Sequence, residues 1–214
     1  MNPKPPNWQP QGTVYGTLLN FRREWDLWAP RMTLDPHKAA PQAPVLYVKT
    51  ANTFSPAGQD LLLQDGVTEV DIGATLGLVM GGNALVMGAA LLCDWSVPHA
   101  SYFRPPVKFR CRDGFLGLPQ QVTVGQVADW AGLEIAVRCN GELVQTVSLS
   151  DLVRDLPTLL ADVGEFMTLQ AGDVLMVGTD CLADGTRPRA KAGDRVEISA
   201  AGFATVSLAV GVAE

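Results

Sequence analysis

The sequence predicts an α+β fold dominated by strands, on three observations. Its apolar residues gather in short runs rich in Val, Ile and Leu; Gly, Pro, Asn and Asp punctuate those runs; and no regular alternation of strand and helix patterns appears. With 214 residues, 47% of them hydrophobic, the chain can bury a full core. It is expected to form one domain over 13–214, preceded by a flexible tail rich in Pro and Gln over 1–12.

Taken in order, GTVYGTLLN at 12–20 has the β-branched and aromatic content of a strand. FRREWDLWAP sets Trp25 and Trp28 at i, i+3 on one helical turn, which Pro30 is expected to end. APVLYVKTANTF reads as a buried strand running into a loop, and SPAGQD as a turn. VTEVDIGATLGLVM at 67–80 reads as a strand covered on both faces, followed by a GGN turn. The run ALVMGAALL at 84–92 fits either a short helix or a strand, because periodicity cannot separate them at that length.

LEIAVRCNGELVQTVSL is the clearest local signal. Two β-patterned arms flank Asn140-Gly141, the pair that a type I′ turn requires for its two positive φ angles. Ser150 is then placed to cap a helix with apolar positions at Leu152, Val153, Leu156, Leu159, Leu160 and Val163, kinked or split at Pro157. AGDVLMVGT and AGDRVEISAAG each set a Gly-Asp turn before an apolar strand.

A formal net charge of -6 opposes a nucleic-acid partner, which needs a concentrated cationic face. Cys93, Cys111, Cys139 and Cys181 form no CxxC pair and have only two histidines to join them, so reduced thiols in a cytoplasm are expected, with neither a zinc site nor a disulfide frame. The longest apolar run is too short to span a bilayer and the N-terminus has no apolar signal-peptide core, so a soluble, unexported chain without a membrane partner is expected.

Two polar regions could carry chemistry: CDWSVPHASYF at 93–103 and VKFRCRDGF at 107–115. Asp94 follows an apolar run, either as a carboxylate held at the end of a buried element or as a turn-capping Asp. His99 is a candidate acid or base, against the commoner structural histidine. Lys108, Arg110 and Arg112 alternate; on a strand they would share one face, suited to a small dianion or to defending a solvated edge. Ser96 lacks a GxSxG context, and Gly73, Gly77, Gly81 and Gly82 do not make GxGxxG, so no serine triad or nucleotide cofactor is implied.

The segments GTVYGTLLNF, YVKTANT, IGATLGLVMG, CDWSVPHASYFRPPVKFRCRDGF, NGELVQ and GEFMTLQAGDVLMVGT, in this order, resemble the fumarylacetoacetate hydrolase family. Within it they look most like the N-terminal-type half, or separate subunit, of the isomerase/decarboxylase of homoprotocatechuate (4-hydroxyphenylacetate) degradation. The resemblance implies a β-sandwich-like roll of mixed sheets. It also implies Mg²⁺ or Mn²⁺ on an E-x-E pair and an Asp of an N-D-x-S segment, serving an α-keto acid.

Carried over by position, Asp94 matches the metal-binding Asp, while Gly73 and Thr75 stand at the E-x-E positions. Arg110 replaces the lysine of K-x-R-D, and Glu24 and Leu27 take the places of a His/Glu lid pair. Lys49, the Arg112-Asp113 pair and Thr179 match, the threonine turn receiving the substrate carboxylate in the family. The implied site is therefore Asp94, His99 and Arg110 as catalytic residues, with Lys49, Lys108, Arg112, Asp113 and Thr179 binding substrate.

A metal is expected to be absent from this chain, with Asp94 its sole ligand if one binds. The expected substrate is a small dicarboxylate or keto acid. The expected assembly is a homo-oligomer or a hetero-oligomer with a metal-competent paralogue. Three readings stay open: a subunit of 2-hydroxyhepta-2,4-diene-1,7-dioate isomerase/5-carboxymethyl-2-oxo-hex-3-ene-1,7-dioate decarboxylase, a non-catalytic partner of such a paralogue, and an acylpyruvate-type hydrolase.

Overall fold

The computed structural model describes residues 7–99 and 107–213. Its strands in chain order are β1 (Val14–Leu18), β2 (Val45–Lys49), β3 (Phe54–Ser55), β4 (Leu61–Leu63), β5 (Glu69–Asp71), β6 (Ala74–Met80), β7 (Val86–Asp94), β8 (Leu116–Gly117), β9 (Glu134–Cys139), β10 (Glu142–Ser148), β11 (Val174–Met176), β12 (Arg189–Lys191), β13 (Arg195–Ser199) and β14 (Val206–Val212). The α-helices among the described residues are α1 (Arg22–Met32), α2 (Val107–Arg110) and α3 (Leu156–Gly164). This is the β-dominated architecture the sequence predicts.

A mixed seven-stranded sheet runs β2-β1-β11-β6-β7-β8-β3, and a five-stranded sheet runs β10-β9-β13-β14-β4, with β12 and β5 paired separately. Laid flat, the large sheet would hold β2 and β7, four steps apart, at roughly 19 Å. Yet the Tyr47 hydroxyl of β2 donates to the Asp94 carboxylate of β7. The sheet must therefore curl until β2 closes back over β7.

Strand alternation divides the core accordingly. Ala89, Leu91 and Cys93 of β7 pack with Val137, Val196 and Leu208 of the five-stranded sheet. Ala90 and Leu92 face the inside of the curl with Val14, Leu18, Tyr47, Val79, Val174 and Met176. Asp94 shares their parity, so a carboxylate is carried into an apolar interior.

The NG hairpin forms as predicted, with φ of 53° at Asn140 and 86° at Gly141. The ambiguous 84–92 run is a strand, β7. Residues 67–80 give two strands where one was expected: β5 pairs with β12, and the chain breaks at Ile72-Gly73 before β6 joins the large sheet. Pro30 does not end α1, which continues to Met32, whose buried side chain anchors the last turn.

Residues 107–110 form the short helix α2, followed by turns, so Lys108, Arg110 and Arg112 do not share a strand face. Ser150 caps no helix; it lies in a single 3₁₀ turn over 149–151. Asp155 caps α3 by accepting from the Thr158 N–H at 2.9 Å, and Pro157 sits in the first turn, where it breaks no hydrogen bond. The described part of the expected tail is tied down: Trp8 N–H donates to Gln120 O at 2.9 Å and Asn7 Nδ2 to Ala57 O at 2.7 Å. Residues 1–6 lie outside the described residues.

All four cysteines are free; Cys93 and Cys181 are buried and Cys111 and Cys139 half-buried. Among the described residues, no helix is long and apolar enough to cross a membrane.

Asp155→Ala should cost about 1 kcal/mol in urea unfolding at neutral pH, the usual loss for an N-cap acid. The Thr158 hydrogen bonds hold the Asp155 carboxyl below its ordinary range. Its contribution is therefore full above roughly pH 4 and fades as pH falls through the lowered folded value, so the variant and parent curves should converge in acid.

Candidate active site

Inside the curl, Asp94 is fully buried between two cations. Lys49 Nζ lies 2.8 Å from its Oδ1 and Arg110 NH1 2.6 Å from its Oδ2, and all three side chains are at most 2% exposed. The Tyr47 hydroxyl donates to Oδ2 as well, and the Arg110 guanidinium lies 4.7 Å from the Tyr47 ring centroid. Burial alone would push the Asp94 carboxyl up, but Lys49 and Arg110 outweigh it and hold the group below the ordinary carboxylate range.

Two glycines make this arrangement possible. Gly16 of β1 pairs with Tyr47 of β2, and a Cβ on Gly16 would overlap the tyrosine ring. Only an absent side chain lets Tyr47 lie across β1 toward Asp94. At Gly73, a Cβ would stand 2.5 Å from the Asp94 carbonyl oxygen and 2.8 Å from Thr179 Cγ2.

Outside this sealed interior lies an open cleft of about 490 Å³. Leu27, Trp28 and Arg31 of α1 form one wall; Asp71, His99, Asp184, Thr186, Arg187 and Arg189 supply its polar lining. Arg187 is the best-fixed cation there: NH2 meets Glu24 Oε1 at 2.5 Å and Nε donates to Thr179 Oγ1 at 3.1 Å. Thr179 links cleft to interior, because its methyl closes over Gly73.

His99 Nδ1 lies 3.0 Å from the Val97 carbonyl oxygen, and its ring stacks on Phe109 at 4.9 Å. A carbonyl only accepts, so that contact is made with the proton on Nδ1; the Ser96 hydroxyl lies 3.2 Å from the same nitrogen, and Nε2 is buried. Burial pulls the imidazole below the ordinary histidine value, with Arg110 and Arg187 pushing the same way. Burial moves the Asp71 carboxyl in the opposite sense, upward, against the partial opposition of Arg187 and Arg189.

The structure thus separates the residues that sequence reasoning grouped. Asp94, Lys49 and Arg110 are together but sealed; His99 alone of the expected catalytic residues lines the cleft. Lys108 is exposed on α2, not on a cationic strand face, because 107–110 is helical. Arg112 donates to Lys108 O and Gln64 Oε1, and Asp113 accepts from Asn52; neither lines the cleft. Thr179 is buried behind Arg187. Of the lid positions, Glu24 braces Arg187 and Leu27 lines the cleft.

Asp71, Arg187 and Arg189 were not singled out from sequence as site residues. Arg187, Arg189 and Lys191 alternate just as 108–112 do, so the same signal was present in TRPRAK. Which alternating run reaches a cleft is decided by tertiary pairing, here of β12 with β5.

Residues 13–210 match the family described as fumarylacetoacetate (FAA) hydrolase C-terminal. The chain belongs to the fumarylacetoacetate hydrolase family. A 4-hydroxyphenylacetate degradation bifunctional isomerase/decarboxylase of Escherichia coli is 32% identical over 203 residues, covering 90% of this chain and 46% of that protein. The chain thus spans about half the length of the curated relatives it matches most strongly. The fold is shared with a 2-hydroxyhepta-2,4-diene-1,7-dioate isomerase of Mycobacterium marinum, at TM-score 0.75 and 18% identity over 97% of this chain and 77% of that one. It is also shared with a Sphingobium maleylpyruvate hydrolase solved with manganese and pyruvate, at TM-score 0.71 and 20% identity over 94% of this chain and 71% of that one.

The side chains of this fumarylacetoacetate hydrolase family member do not fit the divalent ion that its resemblance implies. Gly73 offers no donor and its Cβ direction is blocked by the Asp94 carbonyl and Thr179. Thr75 is buried and neutral, its hydroxyl 3.4 Å from Leu76 O. Asp94 is already engaged by two cations and a phenol. Among the described residues, no group of three or more His, Cys, Asp or Glu gathers to hold a metal.

Gly16→Ala should destabilise the fold by roughly 1–3 kcal/mol, the usual range for overpacking, since the added methyl collides with the Tyr47 ring. Chemical denaturation measures it. Tyr47→Phe, which removes only the hydroxyl bonded to Asp94, should cost less than Gly16→Ala; the reverse order would mean that ring placement does not matter.

Proposed function

We propose that the chain acts on a small unsaturated dicarboxylate of 4-hydroxyphenylacetate-type aromatic catabolism as an isomerase, moving a proton between enol and keto forms in the α1 cleft. The observation that carries this reading is that His99 and Asp71 line one cleft with Arg187 while Asp94 is sealed beneath it. Arg187, held by Glu24 and Thr179, meets a substrate carboxylate; Arg31 adds positive charge along the same cleft, while Arg189 is paired with Glu69 at 2.6 Å and Asp71 at 3.2 Å. Leu27 and Trp28 give the unsaturated carbon chain an apolar wall.

The proton balance needs no co-reactant. His99 takes the proton of the enol O–H, the electron pair moves along the conjugated chain, and the distal carbon takes a proton from the Asp71 carboxyl. The imidazolium then returns a proton to Asp71 through water. Burial moves the histidine down and the aspartate up, the directions these two roles call for, and Arg189 at 3.2 Å opposes the shift on Asp71.

Similarity to a bifunctional isomerase/decarboxylase supports the substrate class, and a second reading is this chain as the partner of a metal-competent paralogue. The metal-ligand positions filled by Gly73 and Thr75 support that partner reading equally.

Purified chain in EDTA should ketonise a 2-hydroxy-2,4-diene-1,7-dioate, read by loss of conjugated-diene absorbance. His99→Gln should lower kcat about 100-fold or more. The acid limb of kcat/KM should lie below the ordinary histidine value of about 6.5, and Arg187→Gln, which removes a cation that depresses His99, should raise KM and move that limb upward. No turnover in either EDTA or Mg²⁺ would leave the partner reading. That reading requires a mixed complex on size-exclusion chromatography after co-expression with the paralogue.

A further inference from the structure

The three arginines that line the cleft are not equivalent. Arg187 is paired with Glu24 at 2.5 Å, and Arg189 with Glu69 at 2.6 Å and Asp71 at 3.2 Å. Asp184, the other acid of the lining, is turned to its own loop, accepting from the Thr186 N–H at 2.9 Å and from Thr186 Oγ1 at 2.7 Å. Arg31 is exposed and, among the described residues, pairs with no carboxylate; its guanidinium lies over the Trp28 ring, 5.4 Å from the centroid.

Helix periodicity sets the layout. Glu24, Leu27, Trp28 and Arg31 follow i, i+3, i+4 and i+7, so one stripe of α1 faces the cleft. Glu24 holds Arg187 at one end of that stripe, and Arg31 stands at the other, about 10 Å further along the helix axis. The apolar side chains of Leu27 and Trp28 lie between them. An extended seven-carbon diacid sets its carboxylate carbons roughly 7.5 Å apart across six C–C bonds, a span of the same order. An aromatic face holds a guanidinium without neutralising it, so the Arg31 charge stays available to a ligand.

We propose that Arg31 reads the second carboxylate of the substrate and makes the cleft selective for linear dicarboxylates over monocarboxylates. Arg187 meets the carboxylate nearer His99 and Asp71, Arg31 meets the distal one, and the carbon chain lies along Leu27 and Trp28. A guanidinium matches a carboxylate with paired N–H donors, and the Trp28 face limits its rotation, so less side-chain freedom is lost on binding. The assignment rests on the reading of the cleft as a carboxylate site and is independent of turnover.

Calorimetric titration of the full chain with heptanedioate and with its monoamide, which keeps the length and lacks one charge, tests it. At low ionic strength the parent should bind heptanedioate about 5-fold tighter than the monoamide, the upper range for one exposed ion pair, and the ratio should fall as salt is added. Arg31→Gln should bring that ratio to about 1 while the monoamide Kd moves by less than about 2-fold, and Arg31→Lys should restore part of the ratio. An Arg31 that only stabilises the last turn of α1 would, when replaced, weaken both ligands alike. That result, an unchanged ratio in Arg31→Gln, or no heptanedioate binding by the parent would overturn the proposal. Selective heptanedioate binding that Arg31→Gln abolishes, in a chain that does not turn over the 2-hydroxy-2,4-diene-1,7-dioate, would uphold the proposal and sink the isomerase reading alone.

Discussion

A single buried carboxylate organises this molecule. Asp94 ends β7 inside an apolar curl, where an unpaired charge would not be tolerated, and its partners arrive from elsewhere in the chain: Tyr47 and Lys49 from β2 and Arg110 from α2. Meeting them requires the large sheet to close β2 over β7. It also requires Gly16 to leave room for the Tyr47 ring between them. Sheet curvature, two glycines and the placement of α2 are thus consequences of one electrostatic demand.

The same demand separates structure from chemistry. With Asp94 saturated by cations, the interior has no open ligand position, and the polar groups able to meet a small molecule lie at its mouth. The two layers touch through Thr179, whose methyl packs over Gly73 and whose hydroxyl accepts from Arg187. Glu24 on α1 braces that arginine. Gly73, Thr179 and Glu24 in this way support an arginine-lined cleft.

Much of the fold was legible because it rests on local rules. The β-dominated class, the Asn140-Gly141 hairpin and the strands before and after it follow from alternation and turn chemistry. Helix α3 starts at Asp155 and not Ser150, although both are good caps, because the Phe21–Leu152 bridge and the Asn20 hydrogen bonds to Val153 and Arg154 hold the chain out of helix between them. The neutral Gly73 and Thr75 were visible in sequence, but the ammonium beside Asp94 was not: Lys49 is 45 residues away and reaches it only through curvature. For the same reason Lys108 and Arg112 looked like ligand residues, while Arg189 and Asp71, joined by the β12–β5 pairing, did not.

That Asp94, engaged by Lys49, Arg110 and Tyr47, has no coordination to give a divalent ion is tested most directly by manganese binding. Titrating the wild-type chain and Asp94→Asn with Mn²⁺ while following the electron paramagnetic resonance signal of the free aqueous ion measures occupancy without relying on activity. The account predicts superimposable titrations, because Asp94 has no coordination to give. Uptake of one equivalent of Mn²⁺ by the wild-type chain that Asp94→Asn abolishes would contradict it.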